Sequence, residues 1–421
     1  MNDAQPAMRR SGSSTAVPHM KLFTVNSGTI PLGQALAFSL RSEDGVLLAR
    51  KGHLFTRRSA LNMLAAHGEL CVDMREVDAY RQALASQRVD DRLEHAPTEL
   101  SVVTRDVPHG AAHKADMMGS GDSPVDWLGL QSRADALLRS PRRDTFPLRI
   151  SLLQEELAHL VRRSPDATLL ALTHLATEEN QLYSATHALL VCAICSLAAH
   201  EVLHWPDELV TAMSLAALTM NISMTDLQDR LAAQVLPLTP MQKGAVRSHA
   251  QQSVALLKYS GVTDPLWLGA VAAHHQSNAG SLEHRSDIDK LARLIHRVDI
   301  FSARLSPRKT RRSMASLAAM KAAYLDEDLQ VDDAGEVLIK VLGVYHPGAL
   351  VKLESEELAV VVRRGINGLN PSVAVLVNKD GMTLAEPVLR DTSTRQHRIV
   401  SMVNRQSVKA RTDLLRLLAV A

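Results

Sequence analysis

A chain of 421 residues has room for two or three domains and a sizeable core. A formal charge of +2 argues against a dedicated nucleic-acid binder, and no apolar run reaches the ~18 residues that a membrane span needs. Hydrophobic residues make up 46% but aromatics only 3%, so the core must be mostly Leu, Ala, Val and Met, a composition that favours helices.

Residues 1–18, rich in Ser, Pro and Ala, read as a disordered tail. Residues 19–86 read as a small α+β module. Alternating large apolar residues at 35–40 and the run Val46-Leu47-Leu48-Ala49-Arg50 are two expected strands around the turn Glu43-Asp44-Gly45. Thr56 then caps a helix over 57–67 that stops at Gly68, and Cys71-Val72-Asp73 is a last short strand. Residues 87–125 carry Pro97, Pro108, Gly110, Gly119 and Gly121 with weak periodicity and read as a linker.

Residues 126–343 read as a helical domain. Leu153, Leu157, Leu160 and Val161 fall at helical spacing, and Ser164-Pro165-Asp166 breaks that pattern. Further breaks come at Trp205-Pro206-Asp207, Leu236-Pro237 and residues 261–265, and helices are expected at 313–324 and 333–342. From Gly348 the apolar period shortens towards two, so residues 344–395 read as a β-rich extension with strands near 350–353, 358–362 and 373–377. Residues 396–421 read as a terminal segment whose helix, from about Asn404, is basic and amphipathic.

Three cysteines, Cys71, Cys192 and Cys195, do not make a disulfide framework. Cys192 and Cys195 lie in an apolar helical stretch with no second pair and read as two small buried residues, which suits a reduced, cytoplasmic compartment. Arg304, Arg308, Lys309, Arg311 and Arg312 form a basic stretch that is either a solvated loop or a contact for a phosphate-bearing ligand.

The chemistry concentrates in residues 186–303. His187, His249, the adjacent pair His274-His275 and Asp299 sit on or at the ends of apolar helical segments. Imidazole and carboxylate bind transition metals, and single ligands from successive helices are how bundle metal sites are built. Their order resembles the HD-GYP family, metal-dependent phosphodiesterases that usually degrade cyclic di-GMP, over residues 183–324. The module at 19–86, with Gly45-Val46-Leu47-Leu48-Ala49-Arg50-Lys51-Gly52, and the extension after Tyr345-His346-Pro347-Gly348 resemble pieces that flank such domains. The resemblance implies a mainly α fold, an HD-type bundle between the two small additions. It also implies a metal set of His187, His249, His274, His275 and Asp299, holding one or two divalent Fe, Mn or Zn ions.

Two departures stand beside these matches. Met220 and Asn221 occupy the place of the family's His-Asp pair, Met224 that of its lysine, and residues 276–281 that of the Gly-Tyr-Pro loop. The pair's Asp normally bridges two metals, and a neutral amide offers no anionic bridge. The expected function is therefore a catalytically degenerate signalling protein acting by protein contact or by sensing cyclic di-GMP. The alternative is a divergent metal-dependent phosphohydrolase. The partner classes are a signalling protein, a cyclic dinucleotide or a second copy of the chain, with no nucleic acid and no membrane span.

Overall fold

The computed structural model describes residues 20–76 apart from 26, 28–29, 31, 34, 44, 56–57, 67–68 and 74. It also describes 105–107, and 125–421 apart from 179–181, 277–280, 307–315, 327, 366–367, 406–407, 409 and 411–412. The tail at 1–18, most of the linker, the Thr56 cap and Arg308, Lys309, Arg311 and Arg312 lie outside the described residues. The chain divides into two compact units, Met1–Pro124 and Val125–Ala421.

In the first unit, strands β1 (Met20–Thr24), β2 (Leu40–Arg41), β3 (Leu47–Ala49), β4 (Cys71–Asp73) and β5 (Arg105–Val107) form an antiparallel sheet in the order β3-β2-β4-β1-β5. Helix α1 (Arg58–Ala66) lies between β3 and β4 in the chain, as expected. The strand expected over 35–40 shrinks to β2 plus an isolated bridge from Ala35 to Leu54. Its ladder cannot run through Ser39, whose amide donates to the Glu76 carboxylate at 2.6 Å. Strand β5 falls inside the stretch read as linker; three residues are too few to show a period.

The second unit is mainly helical. Helices α2 (Trp127–Arg139), α3 (Phe146–Arg163), α4 (Pro165–Glu178), α5 (Tyr183–Leu197), α6 (Asp207–Thr219), α7 (Thr225–Ala233), α8 (Pro240–Tyr259), α9 (Pro265–Ala273), α10 (Asp287–Leu305), α11 (Ser316–Tyr324) and α12 (Asp333–Leu342) follow in order. The local chemistry sets their ends. Asp126, Asp264, Ser286 and Asp332 accept first-turn amides, and Thr239 forms a reciprocal capping box with Gln242. Pro147, Pro240 and Pro265 occupy first-turn positions that need no amide donor. Pro165 likewise opens α4, so the break expected there is a junction between abutting helices. Gly261 leaves α8 at φ 91°, a conformation an L side chain rarely adopts. At Gly335 an added Cβ would stand 2.4 Å from the Ala323 carbonyl, so only glycine lets α12 approach α11 this closely.

Every residue of α5 is buried, making it the axis of the bundle. By length and composition the segment Tyr183–Val202 could cross a membrane, contrary to the sequence expectation, but 83% of its apolar window is buried inside the bundle. The hydrophobicity of a central core helix accounts for this. Cys192 and Cys195 point into that core, where burial pushes the Cys192 thiol up to about 12.

After α12 come β6 (Leu350–Leu353), β7 (Leu358–Arg363), β8 (Ser372–Val377), β9 (Thr383–Asp391) and β10 (Ile399–Met402), then α13 (Leu414–Val420). The sheet order is β10-β6-β7-β8-β9, all antiparallel. One face buries Val360, Val362, Ala374 and Leu376 against Leu170 of α4 and Leu417 of α13. The other buries Val351, Ala359, Val361 and Val373 with Leu384, Ile399 and Met402 packed against them. Strand β10 and the short α13 correct the expected terminal helix. Arg405 donates to the carbonyls of Val408 and Ala410, holding a loop where the helix was expected to begin, and Asp413 caps α13 instead.

Candidate metal centre

Four helices of the second unit carry the donors. His187 lies on the buried axis α5, His249 midway along α8, His274 and His275 at the end of α9, and Asp299 in the last third of α10. The structure joins His187 to Asp299 across 112 positions of sequence and gathers His249, His274 and His275 into a separate group.

Three imidazoles converge. His249 Nε2 stands 3.1 Å from His274 Nε2 and 3.3 Å from His275 Nε2, and the three ligand atoms lie within 4.8 Å of one another. His249 and His274 are each pinned on the opposite side of the ring. His249 Nδ1 donates to the Val246 carbonyl at 2.6 Å, and His274 Nδ1 to the Val271 carbonyl at 2.7 Å. A carbonyl can only accept, so both rings carry their proton on Nδ1 when neutral, and both Nε2 atoms are then bare lone pairs. Two bare lone pairs 3.1 Å apart repel unless a cation lies between them. Protonation is a poor remedy at His274, where burial and the neighbouring His275 hold the imidazole pKa down to about 3.

The spacing suits a metal. Two nitrogens each about 2.0–2.1 Å from a tetrahedral ion stand roughly 3.3 Å apart. The three residues therefore fit one Zn²⁺-like or Fe-like ion, with His275 on the exposed side. Three protein ligands leave a fourth position for a small molecule.

The second group is sparser. His187 Nε2 donates to Asp299 Oδ1 at 2.7 Å, and the buried His187 ring stacks on Tyr183 one turn earlier at 5.9 Å. His187 Nδ1 finds no hydrogen-bond partner among the described residues. Burial alone would raise the Asp299 pKa, but the His187 hydrogen bond and the neighbouring imidazoles of His274 and His275 outweigh it and hold the carboxyl well below its usual range. Asp299 is thus an anion that links the pair electrostatically to the triad.

The turn after α6 holds Met220, Asn221 and a 3₁₀ segment, Ile222–Met224. It is stitched to α8 at the level of His249: the Ser223 amide donates to Ser253 Oγ at 3.2 Å, and Ser223 Oγ donates to the His249 carbonyl at 2.9 Å. Trp267 of α9 holds the preceding residue, donating Nε1–H to Thr219 Oγ1 at 2.7 Å. Met220, buried, and Asn221 border a small void with Ser184 and Ala188, neighbours of His187 on α5. Met224 is half-buried in the same turn. Of the basic stretch, Arg304 lies half-buried in the last turn of α10.

One neighbour escaped the sequence reading. His296, one turn before Asp299 on α10, sets its ring edge-on to His275 with centres 5.7 Å apart. Its i, i+3 spacing to Asp299 was the available signal.

No family profile matches the chain. The chain is similar to a cyclic di-GMP phosphodiesterase of Pseudomonas aeruginosa, 29% identical over 257 residues, which cover 58% of this chain and 61% of that protein. The alignment thus spans less than two thirds of that relative's length. A solved HDG"Y"P protein from Bdellovibrio bacteriovorus superposes at a TM-score of 0.31 and 13% identity, covering 75% of this chain and 98% of that one.

Proposed function

We propose that this chain, a relative of the HD-GYP phosphodiesterases, binds one divalent transition metal and acts in cyclic di-GMP signalling as a sensor rather than a hydrolase. The observation that carries the reading is the convergence of three Nε2 atoms beside a turn in which Met220 and Asn221 supply no anion. His249, His274 and His275 hold the ion, and Asp299 balances its charge from the second group. When bound, such an ion polarises phosphoryl oxygens and makes bound water acidic. Two-metal phosphodiester cleavage also needs a carboxylate shared between ions about 3.5–4 Å apart, and Asn221 is uncharged. The product of this fold is then a phosphate-binding surface without efficient turnover, read out by a protein partner.

A second reading rests on the open fourth position of the triad together with the retained His187–Asp299 pair, which together suit a single-metal phosphohydrolase. One experiment separates them. The full chain, loaded with Mn²⁺ or Fe²⁺, is assayed for metal content, cyclic di-GMP binding and cyclic di-GMP hydrolysis. About one ion per chain and saturable binding without turnover are expected. Turnover that disappears in His274→Ala would establish the hydrolase, and a chain that retains no metal would remove both readings.

A further inference from the structure

His249 and His274 are each anchored twice: their Nε2 atoms face the triad and their Nδ1–H groups are tied to the carbonyls of their own helices. His275 differs. It is exposed, follows the C-terminal residue pair of α9, and none of its described hydrogen bonds is to a backbone carbonyl. An imidazole on a rotatable stem at the protein surface loses side-chain entropy when it is fixed on an ion. Metal-binding histidines are ordinarily held in orientation by a partner outside the ligand set.

The side chain in that place is His296. Its ring meets His275 edge-on, at 5.7 Å between centres and 86°, while the centres of His249 and His274 lie 4.9 and 4.1 Å from His275. His275 therefore lies against three imidazoles. His296 is itself fixed by its backbone, in the middle of a well-capped nineteen-residue helix whose next turn carries Asp299. His296 is not one of the three residues whose ligand atoms lie within 4.8 Å of one another, and its ring meets that group at His275.

We propose that His296 is a positioning residue that fixes the His275 ring and thereby sets the metal affinity of the centre. The inference rests on the metal-binding reading above. It makes α10 contribute twice, through Asp299 to the charge of the site and through His296 to the geometry of its exposed ligand. It also ties metal affinity to the packing of α10 against α9, so that whatever shifts one helix against the other alters occupancy.

The test uses the full chain, with Zn²⁺ affinity measured by chelator competition and Co²⁺ bound as a visible-spectrum probe. His296→Ala is expected to weaken Zn²⁺ binding roughly 10- to 100-fold, the usual cost of losing an orienting partner, while the Co²⁺ spectrum keeps its intensity and position at saturation. His296→Gln, which keeps a polar tip, is expected to recover most of the affinity, and His296→Phe, which keeps the ring but no nitrogen, less. Equal affinity in wild type and His296→Ala overturns the inference and leaves the metal reading standing. A Co²⁺ spectrum that changes as for a lost nitrogen ligand also overturns it, because His296 would then bind the ion itself. No Zn²⁺ binding by the wild type overturns the inference together with the reading beneath it. Far-ultraviolet circular dichroism of each variant excludes unfolding as the cause of weaker binding.

Discussion

His249 and His274 face each other through Nε2 atoms 3.1 Å apart because each gives its Nδ1 proton to a carbonyl of its own helix. His187, His249, His274, His275 and Asp299 could be picked from the order of residues on apolar helices; the structure joins them as the His187–Asp299 pair and the group of three imidazoles. That the two Nδ1 protons go to carbonyls, leaving bare Nε2 atoms face to face, depends on ring orientation, which sequence does not record. His296 was missed for the same reason, since a lone histidine on a helix is usually a surface residue. The turn at Met220-Asn221 offers a test at this scale. It is bound to α8 at His249 and borders the His187 turn, so Met220→His with Asn221→Asp should add an imidazole and an anion beside the existing donors. Metal occupancy is expected to rise from about one towards two ions per chain before any turnover, because binding needs the ligands and turnover also needs their supporting contacts. Without metal the double variant should be less stable by on the order of several kcal/mol, the cost of burying polar groups unpaired, and Mn²⁺ should restore the loss. Elemental analysis and melting with and without Mn²⁺ decide it. A midpoint that Mn²⁺ leaves unmoved means that the two positions do not face the donors.

Among the elements, helices were read well because their capping chemistry is local. Asp332, Asp264 and Thr239 announce their helices within three residues, and α12 runs where the apolar period placed it. Strands were read less well. β6, β7 and β8 are buried on both faces and appear as apolar runs, whereas β9 is a mostly exposed edge strand interrupted by Pro387 and lacks any clear alternation. What seats this sheet on the bundle was invisible in the sequence. Arg364, just past β7, donates to Asp166 of α4 at 2.5 Å, to Glu201 after α5 at 2.8 Å and to the Val341 carbonyl of α12 at 2.8 Å. One guanidinium thus joins α4, α12 and the segment that follows α5. Its side chain is 19% exposed, so the pairing is partly screened and the loss should fall below that of a fully buried pair. Arg364→Met is expected to lower stability by about 2–3 kcal/mol, with hydrogen exchange accelerated in β7 and at the end of α12. Unchanged urea midpoints would show that the apolar contacts of Leu170 and Leu417 alone hold the sheet.

At the level of the whole molecule, two buried histidines tie stability to pH. Burial, helped by His275, holds His274 down to about 3, and burial against Phe301 holds His346 down to about 4. Unfolded, both take a proton near pH 6.5. The unfolded chain therefore binds more protons between about 4 and 6.5, so stability rises with pH across that window and falls as acid is added. Depressed carboxyls such as Asp299 and Glu357 act lower. Their contribution is present above their ordinary values of 3.8 and 4.5 and is lost only as pH falls below them. A titration from pH 7 to 5 thus reads histidines and not carboxylates. Each buried neutral histidine should remove stability at a rate approaching about 1.4 kcal/mol per pH unit well below 6.5. All three tryptophans, Trp127, Trp205 and Trp267, lie in the second unit, so their fluorescence reports its unfolding. Urea unfolding at pH 7, 6 and 5, with a chelator present to remove any contribution from metal, should show the wild type weakening as pH falls. His346→Phe keeps a ring against Phe301 and removes one titrating group, so its loss over the same range should be smaller by about one histidine's share. Parallel losses in the two proteins would mean that His346 takes up its proton in the folded chain, and that the pocket formed by Phe301 and Pro347 is open to water.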